Sequence, residues 1–556
     1  MNNEVNGAEI YERRQRTRTD ARKIGIASLI WASSIMLGRI IGLVREQVIG
    51  RTLGASRQAD LYFASFTLPD FLNYLLAAGA LSIVFIPIFS EYLQRGDQKR
   101  GWYAFSTVAN FIVLAGMAGI VPLMLAAKPL AHLVAPGFDG PGEMDTLVRL
   151  IRIILPAQLF HIVGGLLSAA LQAQDRHFVP AMAPLVYSAG IIVGGLIGAA
   201  SGGGEAEGFA WGVLAGSVMG PFALPLYGCL KTKMRWYPSL SFKSPDLRRY
   251  LWLSVPIMLG FSIVVVDEWI VKNQASYLPE GSLAYLQYGR SLMKVPIGVF
   301  GMAVGVASYP TLSRTVADGR IAEAYGVLSH AVRLMLLTTF AAQVCLTVAG
   351  FEATYLIWGL LSTRFSVGDA HATATVLGFL CLGLSGWAAQ TLISRGFYAL
   401  GNTWLPTAVG TAVAIGMLPF YVIMRQYWGA SGLAVASTVA ILIYVFLLGW
   451  LQYRRFRREA LLKGSTLEDA SGMLDAALRL GLAAAAAIAA GLALRSLLLG
   501  LLPDVRLWAV LVRGSVLGLV GIGTYIAVAR WLGVRELVEI EQALLHKLRP
   551  TRLTAP

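Results

Sequence analysis

Apolar runs of helix-spanning length follow one another along almost the whole chain, separated by short polar connections. A hydrocarbon core of ~30 Å is crossed by about 20 helical residues, and inside it every backbone N–H and C=O must find a partner within the protein. Runs of that length and frequency therefore fold as transmembrane helices. Reading with that window places about fourteen spans, near residues 25–50, 60–92, 103–128, 147–173, 180–200, 207–230, 248–275, 283–312, 323–350, 372–398, 405–426, 430–452, 475–500 and 506–530. The expected fold class is all-α, a polytopic membrane protein. Only 14% of the 556 residues are charged, against about 25% in soluble domains. Mean hydropathy is +0.63. Composition thus excludes a disordered chain, an ordinary soluble enzyme and a protein devoted to nucleic acid; membrane lipids are the expected surroundings.

The net charge of +15 collects in alternate connections. Arg95, Lys99 and Arg100; Arg176; Lys231, Lys233, Arg235, Lys243, Arg248 and Arg249; Arg314 and Arg320; Arg395; and Arg454, Arg455, Arg457, Arg458 and Lys463 all fall on one side, whereas Ser201–Gly208 has no basic residue. This positive-inside pattern predicts cytoplasmic N- and C-termini. Residues 1–23 form a basic tail, and the apolar run after them is too long for a signal peptide. No connection is long enough for an extramembrane domain, so the chemistry is expected among the helices. Cys229, Cys345 and Cys381 have no paired spacing and read as inert thiols; no metal site and no cofactor is expected.

The chain carries an internal echo. Ala173–Pro180 resembles Ala399–Pro406 at an offset of 226, and Ile86–Glu91 resembles Tyr309–Arg314 at an offset of 223. Two six-helix repeats follow, parallel because six is even, as in many alternating-access carriers built around a central cavity. The expected organisation is a basic tail (1–23), an N-lobe (24–230), a C-lobe (231–453), a basic linker (454–474), a pair of helices outside the repeat (475–530) and a tail (531–556).

Charges lie where lipid should be. Arg39, Arg45 and Glu46 fall on the first span, with Gly38 and Gly42 as a small-xxx-small pair for close helix approach. Asp267, Glu268 and Lys272 fall on the seventh, and Arg290 and Lys294 on the eighth, where Pro296 is expected to bend the helix. Glu268 and Lys272 have the i,i+4 order of an internal ion pair. A central Arg costs ~2.5–3.5 kcal/mol on insertion scales. Arg39, Arg290 and Lys294 therefore face either carboxylates (Asp60, Asp267, Glu268) or an anionic cargo in a watery cavity, and guanidinium geometry suits phosphate. His161 is a weaker candidate for proton relay, and Arg149, Arg152 and Arg513 are expected to snorkel toward an interface.

The residues that carry these features resemble a known family. Gly38–Glu46, Ala59-Asp60, Leu68-Pro69, Phe85-Ile86-Pro87, Ala135–Phe138, Val266-Asp267, Leu278–Ser282, Tyr288-Gly289-Arg290, Pro310–Arg314 and Gly396–Ala399 are similar to motifs of the MurJ (MviN) lipid II flippases, of the multidrug/oligosaccharidyl-lipid/polysaccharide exporter superfamily. The resemblance implies a bacterial inner-membrane carrier for a polyprenyl-diphosphate glycolipid, with Arg39, Arg45 and Arg290 at the family's essential cavity arginines and Asp60 at an important acid. It also implies a lipid-tail groove formed by the last two helices. Four positions depart from the pattern. Asn73 stands where a basic residue is usual, Ala78 where an acid precedes Gly79, Gly289 where Asp or Asn is common, and Lys294 where an acid or neutral residue is found.

The reading that follows is a flippase for a lipid-linked saccharide, with lipid II first. The diphosphate is expected on Arg39, Arg45, Arg290 and Lys294. Asp60, Asn73, Asp267, Glu268 and Lys272 are candidates for cavity polarity or coupling to Na+, H+ or the membrane potential. The alternatives are a paralogue exporting an O-antigen or exopolysaccharide unit, and a cation-coupled multidrug antiporter, which should prefer acids over a cluster of cations.

Overall fold

The computed structural model describes residues 37–38, 40–77, 80–202, 204–258, 263–360, 362–467, 471–502 and 505–548. The basic tail 1–23, the start of the first span, Arg39, Ala78 and Gly79 lie outside the described residues. Among those described, every regular element is a helix. Eight helices are long and apolar enough to cross a membrane: Gln98–Leu125, Glu143–Gln172, Phe178–Ala200, Glu205–Lys231, Ile321–Val348, Leu418–Leu462, Gly472–Leu501 and Leu507–Trp531. A ninth is the pair Val367–Cys381 and Leu384–Ala399, bent by 43°.

Among the described residues, length and apolarity alone do not reach the expected fourteen, and several expected spans are described as shorter helices. The 60–92 stretch is described as Arg57–Ser65, Thr67–Ala77 and Ala80–Gln94. The 248–275 stretch is described as Pro245–Met258 and Ile263–Ala275, and 405–426 begins with the short Trp404–Gly416. In the 283–312 stretch, Ser282–Pro296 passes into a π-helical turn, Ile297–Gly301, and then Met302–Ala317. Pro296 has no N–H to donate, so it interrupts the i→i−4 ladder at the place the sequence indicates. Gly429, at φ 57° and ψ −132°, divides Leu418–Leu462 in the same region that separates two expected spans.

The repeat is written into the backbone. Helices Gln98–Leu125 and Ile321–Val348 are each 28 residues long and begin 223 positions apart. Each is preceded by a left-handed glycine, Gly96 and Gly319, at the same offset. Asp97 N donates to Tyr92 O and Arg320 N to Thr315 O, again 223 apart. At the second echo, Asp175 (φ 58°) and Gly401 (φ 75°) take the left-handed position 226 residues apart. There Arg176 N donates to Leu171 O and Asn402 N to Phe397 O. Two copies of one chain path preserve these turns although the side chains have diverged.

The described chain forms two units. The first takes residues of Met1–Ile49, Ser65–Leu130 and Asp145–Leu259; the second takes those of Gly50–Ala64, Ala131–Met144 and Gly260–Pro556. In the first unit, Phe178–Ala200 and Glu205–Ser217 meet backbone to backbone along Gly190, Gly194 and Gly198 on one side and Gly208, Gly212 and Gly216 on the other. A Cβ on Gly194 would stand 2.5 Å from Gly212 Cα. No hydrophobic force separates helix from lipid in a membrane, so such close contact supplies the packing energy. Gly38 and Gly42 differ: no described atom lies within 4 Å of a Cβ built there, so the close approach expected at that pair is not made in the described chain. Gly194→Ala is predicted to destabilise the protein by about 1–3 kcal/mol, read as a lower thermal midpoint in detergent. Gly518→Ala, where nothing stands within 4 Å, should leave the midpoint unchanged.

Candidate functional site

In the second unit, three helices bring the intramembrane charges together. Ile263–Ala275 carries Asp267, Glu268 and Lys272, Ser282–Pro296 carries Arg290 and Lys294, and Leu418–Leu462 adds Tyr421 and Ser437. Arg290 Nη2 donates to Asp267 Oδ2 at 2.5 Å and to Ser437 Oγ at 2.9 Å. The other Asp267 oxygen accepts from Ser437 Oγ, at 2.7 Å, and from the Tyr421 hydroxyl. Arg290 and Asp267 are almost wholly buried. Lys294 Nζ reaches Glu268 Oε1 at 2.5 Å, and Arg290 Nη1 lies 4.0 Å from that oxygen. Lys294 is 48% exposed, and Lys272 is buried one helical turn from Glu268. Two carboxylates thus sit among three cations.

Glu268 takes Lys294 from the neighbouring helix as an ion-pair partner, with Lys272 one turn away on its own helix. Arg290 is not a bare cation facing a chamber: its guanidinium is neutralised by Asp267, because an unpaired charge at such burial is costly. Its Nε alone is buried without a hydrogen-bond partner among the described residues. Lys294 is likewise matched by an acid. Tyr421 and Ser437 had no sequence signal, since they lie 154 and 170 residues from Asp267.

Asp60 also takes a different place. Its Oδ2 accepts from Gly281 N and its Oδ1 from Ala284 N, both at 2.8 Å. These are the N-cap and third residues of Ser282–Pro296, so a distant carboxylate does the work of a capping box. Gly281, at φ 82°, has no side chain to serve as its own cap, and a Cβ there would meet Ala55 O at 2.5 Å. The exchange is mutual: Glu280 Oε1 accepts from Arg57 N at 3.0 Å, at the start of the Arg57–Ser65 helix that carries Asp60. Arg57 Nε lies 3.1 Å from Glu143 as well. Asp60 is therefore a cap for the helix bearing Arg290 and Lys294.

The remaining candidates belong to the first unit. Arg45 Nη2 bonds its neighbour Glu46 at 2.7 Å, and both are partly exposed. Asn73 is half-buried on Thr67–Ala77. The His161 ring meets Tyr187 edge-on at 4.9 Å, and Tyr187 lies within electrostatic reach of Arg45, Glu46 and Asp70. Asp70 and Tyr187 went unnoticed in the sequence because each is unremarkable within its own helix. Arg513 does not snorkel: it is buried in the second unit and pairs with Glu352, Nε to Oε1 at 3.3 Å. Cys229 and Cys381 are buried and Cys345 partly so, all three free thiols, with Cys229 Sγ donating to Leu167 O at 3.5 Å.

Comparison with known proteins agrees with this architecture. The family model described as "Lipid II flippase MurJ" matches residues 49–502. The chain belongs to the MurJ lipid II flippase family. A probable lipid II flippase from Rhizobium tropici is 27% identical over 425 residues, covering 74% of this chain and 76% of that protein. A lipid II flippase structure in an inward closed conformation superposes with a TM-score of 0.70 at 21% identity, over 93% of this chain and all of the other. An inward-facing multidrug transporter of the MOP superfamily gives 0.63 at 13% identity, over 78% and 98%. The chain therefore has the fold of that superfamily and is a multi-pass membrane protein of a transporter family.

Two predictions follow from the geometry. Removing one partner of a buried ion pair costs about 3–5 kcal/mol, so Asp267→Asn and Arg290→Gln should each lower thermal stability. The double variant should lose less than their sum, and strict additivity in that cycle would show the pair to be unimportant. Asp60→Ala should cost about 1–2 kcal/mol and increase amide exchange at the start of Ser282–Pro296. Asp60→Asn, keeping one acceptor, should lose less.

Proposed function

We propose that this chain translocates lipid II across the bacterial inner membrane, from inner to outer leaflet, with both termini in the cytoplasm. The observation that carries the reading is the family match across 49–502, joined to the group of intramembrane charges around Arg290. A diphosphate is doubly anionic and accepts several charge-assisted hydrogen bonds, which replace the hydration it loses. In this reading Arg39, Arg45 and Lys294 are the further cations that act on the headgroup during transit, while the polyprenyl tail stays in lipid against the last two helices.

Arg290 enters by exchange. A phosphate oxygen takes the place of Asp267 on its fork, and the unpartnered Nε supplies a further donor. Asp267 and Glu268 are then the acids through which coupling acts: a proton or Na+ on either weakens its hold on a cation and shifts the balance toward the cargo. The membrane potential is a third source of drive, at about 2.3 kcal/mol per unit charge per 100 mV. Two six-helix lobes alternating in access complete the cycle. The carboxylate-bound cations distinguish this site from a drug-antiporter cavity, which should favour acids and aromatics.

The test is replacement of the native gene by Arg39→Ala or Arg290→Ala variants. Expected outcomes are loss of growth and accumulation of lipid II on the inner leaflet at normal protein levels. Full flipping by both variants would overturn the cationic-site assignment. Accumulation of an O-antigen or exopolysaccharide unit with lipid II unchanged would assign the chain to a paralogous exporter.

A further inference from the structure

In the first unit, well away in sequence from the charges above, a groove of about 540 Å³ opens between helix ends. Glu143–Ile154 runs along it, Glu205–Ser217 faces it through Trp211 and Leu214, and Lys128 borders it just past the end of Gln98–Leu125. Its polar wall holds Lys128, Asp145, Arg149 and Arg152; its apolar wall holds Val148, Ile153, Trp211 and Leu214. Such a combination, at the end of membrane spans, belongs at the boundary between headgroups and acyl chains.

The charges are unequally satisfied. Lys128 Nζ meets Asp145 at 3.2 Å, and Arg149 Nη1 meets Glu207 at 2.7 Å. Arg152 has no carboxylate. Its Nε donates to Met124 O at 3.2 Å, a carbonyl in the last turn of Gln98–Leu125 that the helix itself leaves without a donor. That bond fixes the guanidinium, and among the described residues its two Nη groups have no protein partner. One oriented cation is left uncompensated in a concave, half-apolar site. Trp211, 56% exposed, supplies an amphipathic ring at the same level.

We propose that this groove binds a membrane glycerophospholipid, its phosphodiester on the Arg152 fork and its first acyl carbons along Val148, Ile153, Trp211 and Leu214. The phosphodiester carries one negative charge, which matches the single unpaired cation, and its two free oxygens suit the two Nη donors. The bland alternative makes Arg152 only a helix cap. It accounts for the Nε bond to Met124 but not for a groove with an acyl-shaped wall beside two unengaged donors. The site does not depend on the flippase reading.

The experiment is lipid titration of the detergent-purified full chain, followed by native mass spectrometry, with phosphatidylglycerol and phosphatidylethanolamine as probes and sn-glycerol 3-phosphate as the soluble control. Wild type should retain one more lipid than Arg152→Gln, whose affinity should fall at least tenfold. Arg152→Lys keeps a donor for Met124 but loses the fork, and should fall three- to tenfold. Trp211→Ala leaves the cap untouched and should weaken lipid binding severalfold. Unaltered lipid affinity in Arg152→Lys and Trp211→Ala, each eluting as folded protein, would overturn the proposal. Equal binding of sn-glycerol 3-phosphate would also overturn it, by showing a free-anion site with no role for the apolar wall.

Discussion

The contact between Arg290 and Asp267 sets the terms for the second unit. Neither charge is tolerable alone at that depth, so each requires the other, and both require the hydroxyls of Tyr421 and Ser437 to fill their remaining hydrogen-bonding positions. Three helices are thereby held in register by polar contacts rather than by oily ones. Lipid offers no hydrophobic drive for helix association, and a polar mismatch inside it is expensive. The same arrangement keeps a guanidinium desolvated and geometrically prepared for an oxyanion. In the proposed reading, stability and cargo recognition draw on one set of side chains.

The alternatives posed for the buried cations, pairing with acids or facing a cargo, turn out to be compatible. Arg290 and Lys294 are paired, yet Arg290 keeps an unused donor. A carrier has to release what it holds, and a cation already balanced by a carboxylate binds an incoming phosphate less tightly than a naked one. Pairing is therefore a way of limiting affinity, in keeping with a site that must be left as readily as it is entered.

What could be read from the residues alone was whatever is local and periodic. Apolar length gave the helices, Pro296 gave the interruption followed by the π-helical turn, and two short echoes gave a repeat later found in matching left-handed turns at Asp175 and Gly401, and at Gly96 and Gly319. What could not be read was partner choice. Glu268 sits four residues from Lys272 but bonds Lys294, and Asp60 has the look of a cavity acid but caps a helix more than 200 residues away. Arg513 at a span's end looked like a snorkelling residue, yet it meets Glu352 inside the protein. Each of these depends on which helices become neighbours, and one-dimensional spacing does not encode that.

The mutual capping of Asp60 and Glu280 has a consequence for how the protein is made. The start of Ser282–Pro296 takes its cap from a residue 221 positions earlier. At synthesis rates of about 5–20 residues per second, Asp60 waits on the order of 10–45 s before its partner amides emerge. During that interval a carboxylate destined for burial has to stay hydrated at the membrane edge, and the first half of the chain cannot settle there by itself. Completion of the later helix is thus the event that closes the earlier loop, which makes the order of translation part of the folding route.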